Sequence, residues 1–199
     1  LMLQENFTVK LLEMLRTGEI DCAIVAEPFP GTGLAMAPLY DEPFMAAVPS
    51  AHPLAQQESV TTTELKNETM LLLGAGHCFR DHVLEVCPEF ARYASNAEGI
   101  RRTFEGSSLE TIKHMVAAGM GVTLVPRLSV PSEALVTQRR RSSDDPHIRY
   151  LPIRGDDGNT PPSRRVVLVW RRSFTRYEAI AALRNAVYAC DLPGVSLLT

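Results

Sequence analysis

The chain carries few of the features that would tie it to a membrane, a nucleic acid or a cross-linked scaffold. No apolar run approaches the roughly 20 residues of a bilayer span. The opening Leu1-Met2-Leu3-Gln4-Glu5-Asn6 has no basic start followed by an apolar stretch, so it does not read as a secretory signal. A net charge of −3 supplies no overall field for nucleic acid or an acidic lipid surface. The local basic runs Arg139-Arg140-Arg141, Arg164-Arg165 and Arg171-Arg172 read as solvated surface. Four cysteines with no C-x-x-C pair set aside a thioredoxin-like redox motif. Without a signal segment these thiols are expected in the cytoplasm, where a disulfide is transient. No internal repeat or long low-complexity tract is present. What remains is ordinary globular material, 45% hydrophobic and 22% charged over 199 residues, enough for one large domain or two small lobes.

Along the chain, β and α patterns alternate. Leu1 to Glu5 reads as a strand, followed by a helix with Thr8 as its N-cap and Leu11, Leu12 and Leu15 on one face. Gly18 stops that helix, and Ile20 to Ala26 reads as a buried strand, which predicts a βαβ unit on a parallel sheet. The chain opens directly on the strand expected over Leu1 to Glu5 without a lead-in, as a piece of something longer would. Residues 28–43, rich in Pro and Gly, read as a loop and crossover before a short strand over Met45 to Val48. A turn at His52-Pro53, a helical turn over Thr62 to Lys66 and a buried strand over Met70 to Leu73 follow. Arg101 to Glu105 is expected to be a strand, and Ser107 with Glu110 to form a capping box for a helix that Gly119 ends. A strand over Val122 to Val125 runs up to Pro126. Loops are expected over 138–145 and 155–163, then a strand over Arg165 to Trp170 and a closing helix over Tyr177 to Tyr188. The sum is α/β with mostly parallel sheets, in two halves joined near 41–45 and 155–165 around a ligand cleft.

The segment Gly76-His77-Cys78-Phe79-Arg80-Asp81-His82-Val83-Leu84-Glu85-Val86-Cys87-Pro88 reads as a short helix that follows a small-residue turn. Nine helical residues separate Cα atoms by about 13 Å. A disulfide tolerates about 4.4–6.8 Å. If this segment is helical when reduced, Cys78 and Cys87 bond only after it unwinds, so the pair is a switch rather than a staple. A thiol reacts as its thiolate, which a helix N-terminus or a neighbouring cation favours. The expected helix start, Arg80 and His77 all lie beside Cys78. Such a thiolate attacks the O–O bond of a peroxide and becomes a sulfenic acid, which then condenses with a second thiol. Other readings stay open. Either cysteine can be a small core hydrophobe, as Cys22 in its apolar strand and Cys190 in the last helix are expected to be. His77, Cys78, His82 and Cys87 also make a zinc set on paper, but their spacing is not a usual one. No metal and no cofactor are expected.

Gly76-His77-Cys78-Phe79-Arg80-Asp81 with Cys87, Ser108-Leu109-Glu110-Thr111, and Met115-Val116-Ala117-Ala118-Gly119-Met120-Gly121-Val122-Thr123-Leu124-Val125-Pro126 together resemble the OxyR family, the hydrogen-peroxide-sensing LysR-type transcriptional regulators. The likeness covers nearly the whole chain and is weakest over 88–98 and 132–163. It implies two Rossmann-like lobes in a periplasmic-binding-protein-like (type 2) regulatory domain. Lobe I would comprise 1–43 plus 164–199, with its first strand and helix missing; lobe II would comprise 44–163 and carry the redox cysteines. The resemblance makes Cys78 the peroxide-reactive thiol and Cys87 the resolving thiol. It places Thr8 and His77 around the peroxide, with Arg80, Asp81 and Arg165 in the sensing region. Each has a plainer alternative: Thr8 as a helix cap, His77 as a turn residue, Arg80 and Asp81 as a surface pair, Arg165 as a solvated strand-edge residue.

The implied partners are hydrogen peroxide, a second regulatory domain in a homodimer, a tetramer of the full-length protein, promoter DNA, RNA polymerase, and glutaredoxin with glutathione as reductant. No membrane partner and no enzymatic turnover are implied. The winged helix-turn-helix and linker helix of such regulators are not in this sequence, so the chain by itself is not expected to bind DNA specifically. The rival reading is a domain that senses a small organic ligand, with Arg101 and the helix start at Ser107–Ser108 receiving an anion. A third is a peroxidase.

Overall fold

A computed structural model describes residues 1–88, 104–106, 108–131, 147–155 and 160–198. In chain order the elements are α1 (Thr8–Thr17), β1 (Cys22–Ala26), β2 (Leu34–Pro49), a 3-10 turn (Pro53–Gln56), β3 (Val60–Thr61), α2 (Thr62–Leu65), β4 (Leu71–Leu73) and α3 (Cys78–Val86). After these come β5 (Phe104–Gly106), α4 (Leu109–Ala117), β6 (Thr123–Pro126), a 3-10 turn (Arg127–Ser129), β7 (Ile148–Arg154), β8 (Ser163–Arg171), α5 (Tyr177–Tyr188) and β9 (Ser196–Leu197). The chain divides into two compact units, Leu1–Glu42 with Arg164–Thr199, and Pro43–Ser163.

In the first unit the apolar spacing of Leu12 and Leu15 buries one face of α1, and Gly18 ends the helix at φ +86°, its N–H reaching the Met14 and Leu15 carbonyls. Three expectations for this region give way. Thr8 is the first helical residue rather than the cap; Phe7 holds the cap position, without a side-chain bond. Residues 1–7 form no strand, and Leu1, Met2 and Leu3 stand almost fully exposed. β1 runs antiparallel to β8, with Cys22 opposite Trp170 and Ala26 opposite Val166, so no parallel βαβ unit forms here. The partner of β1 lies some 140 residues away in sequence, beyond the reach of a local pattern.

The first unit's sheet is covered on both faces, as the unbroken apolar run of β8 requires. Val167 and Val169 pack with Ala23, Val25, Leu12 and Leu15 on the α1 side. Leu168, Leu39 and Ile180 pack on the α5 side, with Cys22 and Trp170 against them. β9 adds a short antiparallel edge to β2 at Tyr40 and Asp41. Cys190 does not lie in the core as expected: it follows the end of α5 and is exposed, its thiol donating to the Ala186 carbonyl at 3.2 Å.

In the second unit, β2 pairs antiparallel with both β6 and β7, while β3 pairs parallel with β7 and β4 parallel with β5. The sheets are therefore mixed rather than mostly parallel. The long β2 also replaces the later part, residues 34–43, of the loop expected over 28–43. Pro43 in it lacks an N–H, and the next residue, Phe44, donates instead to Pro162 O at 2.9 Å. The cap of α4 is Ser108, whose hydroxyl accepts from the Thr111 N–H at 3.2 Å, one residue later than the Ser107–Glu110 box expected. Ser107 and Arg101 lie outside the described residues. One apolar core joins β2, β4, β6, β7, α3 and α4, with Phe44, Leu71, Leu72, Ile112, Leu124 and Leu151 fully buried in it.

Candidate functional site

β4 leads directly into the cysteine helix. Leu71, Leu72 and Leu73 form a buried strand, and the Gly74 N–H is held by the Gly106 carbonyl at 3.0 Å. Gly76 then turns the chain at φ +99°, a backbone state that a residue with a Cβ adopts only under strain. His77 is extended at the N-cap, and Cys78 opens α3 as its first residue, half-buried. Arg80 folds back, its guanidinium donating to Leu73 O at 2.8 Å, so it locks the helix start to the end of β4. Asp81 is exposed in the first turn.

The inner face of α3 carries Phe79, His82 and Val83 at the i, i+3, i+4 spacing of a helical stripe. Phe79 meets the Phe44 ring edge-on, centroids 5.5 Å apart, and His82 stacks on the same ring at 6.4 Å. Cys87 forms the C-cap, its N–H bonded to Val83 O at 2.9 Å, and at 0% exposure it is part of the core. Helical rise along α3 thus holds the two cysteine Cα atoms roughly 13 Å apart, about twice the span of a disulfide. Neither cysteine is in a disulfide. His77, Cys78, Arg80, Asp81 and Cys87 are therefore gathered on one helix and its cap.

The two remaining candidates belong to the other unit. Thr8 begins α1 and is half-buried. Arg165 lies in β8 and grips the Asp41 carboxylate through two bonds of 2.9 Å each. Those hydrogen bonds hold the Asp41 carboxyl below the usual carboxylate range and raise the arginine further. Next to that pair, Arg164 bonds Glu42, which is almost fully buried, at 2.9 Å. Burial pushes the Cys22 thiol up, with the charge of Asp21 adding to it, which disfavours the reactive thiolate there.

Two residues of the α3 surroundings escaped the sequence reading. Phe44 falls between the crossover read over 28–43 and the strand read over Met45 to Val48, and His82 drew notice only as a metal ligand. The i, i+3 spacing of Phe79 and His82 was the available signal that His82 faces inward. Among the described residues no three His, Cys, Asp or Glu side chains converge as a metal site requires. No described helix is long and apolar enough to cross a membrane.

Comparison with known proteins places this architecture. The LysR substrate-binding domain model matches residues 1–189. The hydrogen peroxide-inducible genes activator of Pectobacterium carotovorum subsp. carotovorum is 37% identical over 182 residues, covering 90% of this chain and 54% of that protein. The DNA-binding transcriptional dual regulator OxyR of Escherichia coli K12 is likewise 37% identical, covering 90% of this chain and 53% of the relative. The chain thus spans about half the length of the curated relatives it matches. A solved structure of a reduced form of OxyR from N. meningitidis superposes with a TM-score of 0.85 at 39% identity, covering 100% of this chain and 85% of that one. The mixed α/β architecture is that of the periplasmic-binding-protein-like regulatory domains, and the chain belongs to the LysR substrate-binding domain family.

Proposed function

We propose that this chain is the redox-sensing regulatory domain of a LysR-type transcription factor that responds to hydrogen peroxide. The observation that carries the reading is the placement of two cysteines, neither in a disulfide, at opposite ends of one helix, Cys78 half-exposed at its start and Cys87 sealed in the core at its end. The Cys78 thiolate attacks one peroxide oxygen, the O–O bond breaks, and hydroxide leaves to be protonated to water. Cys78 is then a sulfenic acid. The Cys87 sulfur attacks it, a second water leaves, and the disulfide forms. In sum, two thiols and one hydrogen peroxide give one disulfide and two waters. α3 must unwind for this step, which turns a covalent event into a change of surface.

In this reading Cys78 is the sensor nucleophile at the helix start beside Arg80, His77 and Thr8 orient peroxide by hydrogen bonding, and Asp81 and Arg165 belong to the sensing region. Lobe I comprises 1–43 with 164–199, and lobe II comprises 44–163. The domain works as a homodimer within a cytoplasmic tetramer that contacts promoter DNA and RNA polymerase through the full-length protein. Glutaredoxin with glutathione returns the thiols. Each protein molecule is consumed and recycled, so the domain is not an enzyme. The names of the relatives, one of them an activator of hydrogen peroxide-inducible genes, support this over the ligand-sensing alternative.

Thiol mass spectrometry after brief, near-stoichiometric peroxide tests it. The expected product is a linked Cys78–Cys87 peptide, lighter by two hydrogens and restored by a dithiol. A Cys87→Ser variant is expected to stop at a trappable sulfenic acid on Cys78. Thiols that stay unchanged under peroxide in both proteins defeat the reading.

A further inference from the structure

Both aromatic side chains of α3 that lie between the two cysteines lean on a single ring. Phe79, next to Cys78, packs edge-on against Phe44, and His82, one turn later, stacks on it. Phe79 and His82 also meet each other at 6.5 Å, which closes a three-ring cluster. All three rings are buried, and Phe44 is 1% exposed. Bringing the sulfurs together removes most of the helical rise between residues 78 and 87, so Phe79 and His82 cannot both keep their seats on a ring fixed in a strand.

Phe44 is in turn anchored at an unusual point of the chain. It is the second residue of its unit, after the boundary at Glu42–Pro43. Its N–H is bonded to Pro162, one residue short of the other boundary at Ser163–Arg164. The strand that seats the cluster therefore joins the two places where the chain passes from one unit to the other.

We propose that Phe44 is a positioning residue for disulfide closure: its ring, with Phe79 and His82, holds α3 helical in the reduced protein and sets how readily Cys87 reaches Cys78. This rests on the redox reading above. The cluster stabilises the dithiol and is lost in the disulfide, so shrinking the Phe44 ring shifts the equilibrium toward the disulfide. The exchange is balanced against glutathione: two protein thiols and one glutathione disulfide give one protein disulfide and two glutathiones.

The test is equilibration of the purified protein with glutathione buffers of graded ratio, reading the Cys78–Cys87 peptide by mass spectrometry. Phe44→Leu is expected to favour the disulfide about tenfold, equivalent to about 30 mV for this two-electron couple. Phe79→Leu is expected to move it the same way and decides the matter should Phe44→Leu fail to fold. The control is Ile153→Val, a buried substitution in β7 opposite β3. The inference is overturned when neither phenylalanine variant shifts the equilibrium, or when Ile153→Val shifts it as far. Failure of the unaltered protein to form the disulfide at all instead defeats the redox reading on which the inference stands.

Discussion

Single side chains here divide into those that tie the backbone down and those that are left to react. Arg80 shows how a residue type underdetermines its role. Beside a cysteine it reads as an electrostatic activator, yet its guanidinium also binds the Leu73 carbonyl and so fixes where the helix begins. Arg165 is a second case: a strand-edge arginine in the sequence, it forms a two-bonded grip on Asp41, a residue 124 positions away. Because that grip lowers the Asp41 carboxyl, its contribution to stability is present above the ordinary carboxylate range. It is lost as pH falls through the folded-state value. Both groups keep contact with solvent, so the effect on folding is small. Arg165→Gln is expected to bring Asp41 back up toward the usual range, followed by side-chain carboxyl NMR through an acid titration. An Asp41 that stays low in that variant assigns the shift to another cause.

At the level of elements, legibility in the sequence followed the range of the interactions. The closing helix Tyr177–Tyr188, the core of β8 and the cysteine helix were all readable, because stripes, caps and glycine stops are local signals. Strand direction was not. β1 and β8, or β2 and β7, choose each other through packing between distant segments, and no spacing within either strand records whether they run parallel. Leu1 to Leu3 carry the composition of a strand but form none, being exposed and without a described strand partner. Close approach between elements is equally silent in the sequence until a glycine marks it. Gly121 precedes β6, and a Cβ there would run into the Thr69 carbonyl oxygen just before β4 and press on Leu71, the first residue of β4. Backbone cannot yield as a side-chain tip does, so Gly121→Ala is expected to cost about 1–3 kcal/mol. A urea midpoint measured against the unaltered protein checks this; an unchanged midpoint removes the close approach as a constraint.

Across the whole molecule, the apolar interior is partitioned unevenly. The second unit has one continuous core running through α3 and α4, whereas the first distributes its burial over two faces of a sheet. The candidate thiols both belong to the second unit. Hydrogen exchange should therefore separate the units on oxidation: amides of residues 79–87 lose protection, while those of Val166 to Val169 keep theirs. Uniform loss across the chain would instead mean global unfolding rather than a local switch. The complete enclosure of Cys87 carries one more consequence, for counting. A sulfur that solvent never reaches cannot be spent on a stray oxidant, so the proposed mechanism admits each peroxide through Cys78 alone. The switch then registers one oxidising event per protein molecule, and its reserve thiol is kept chemically fresh until the helix itself releases it.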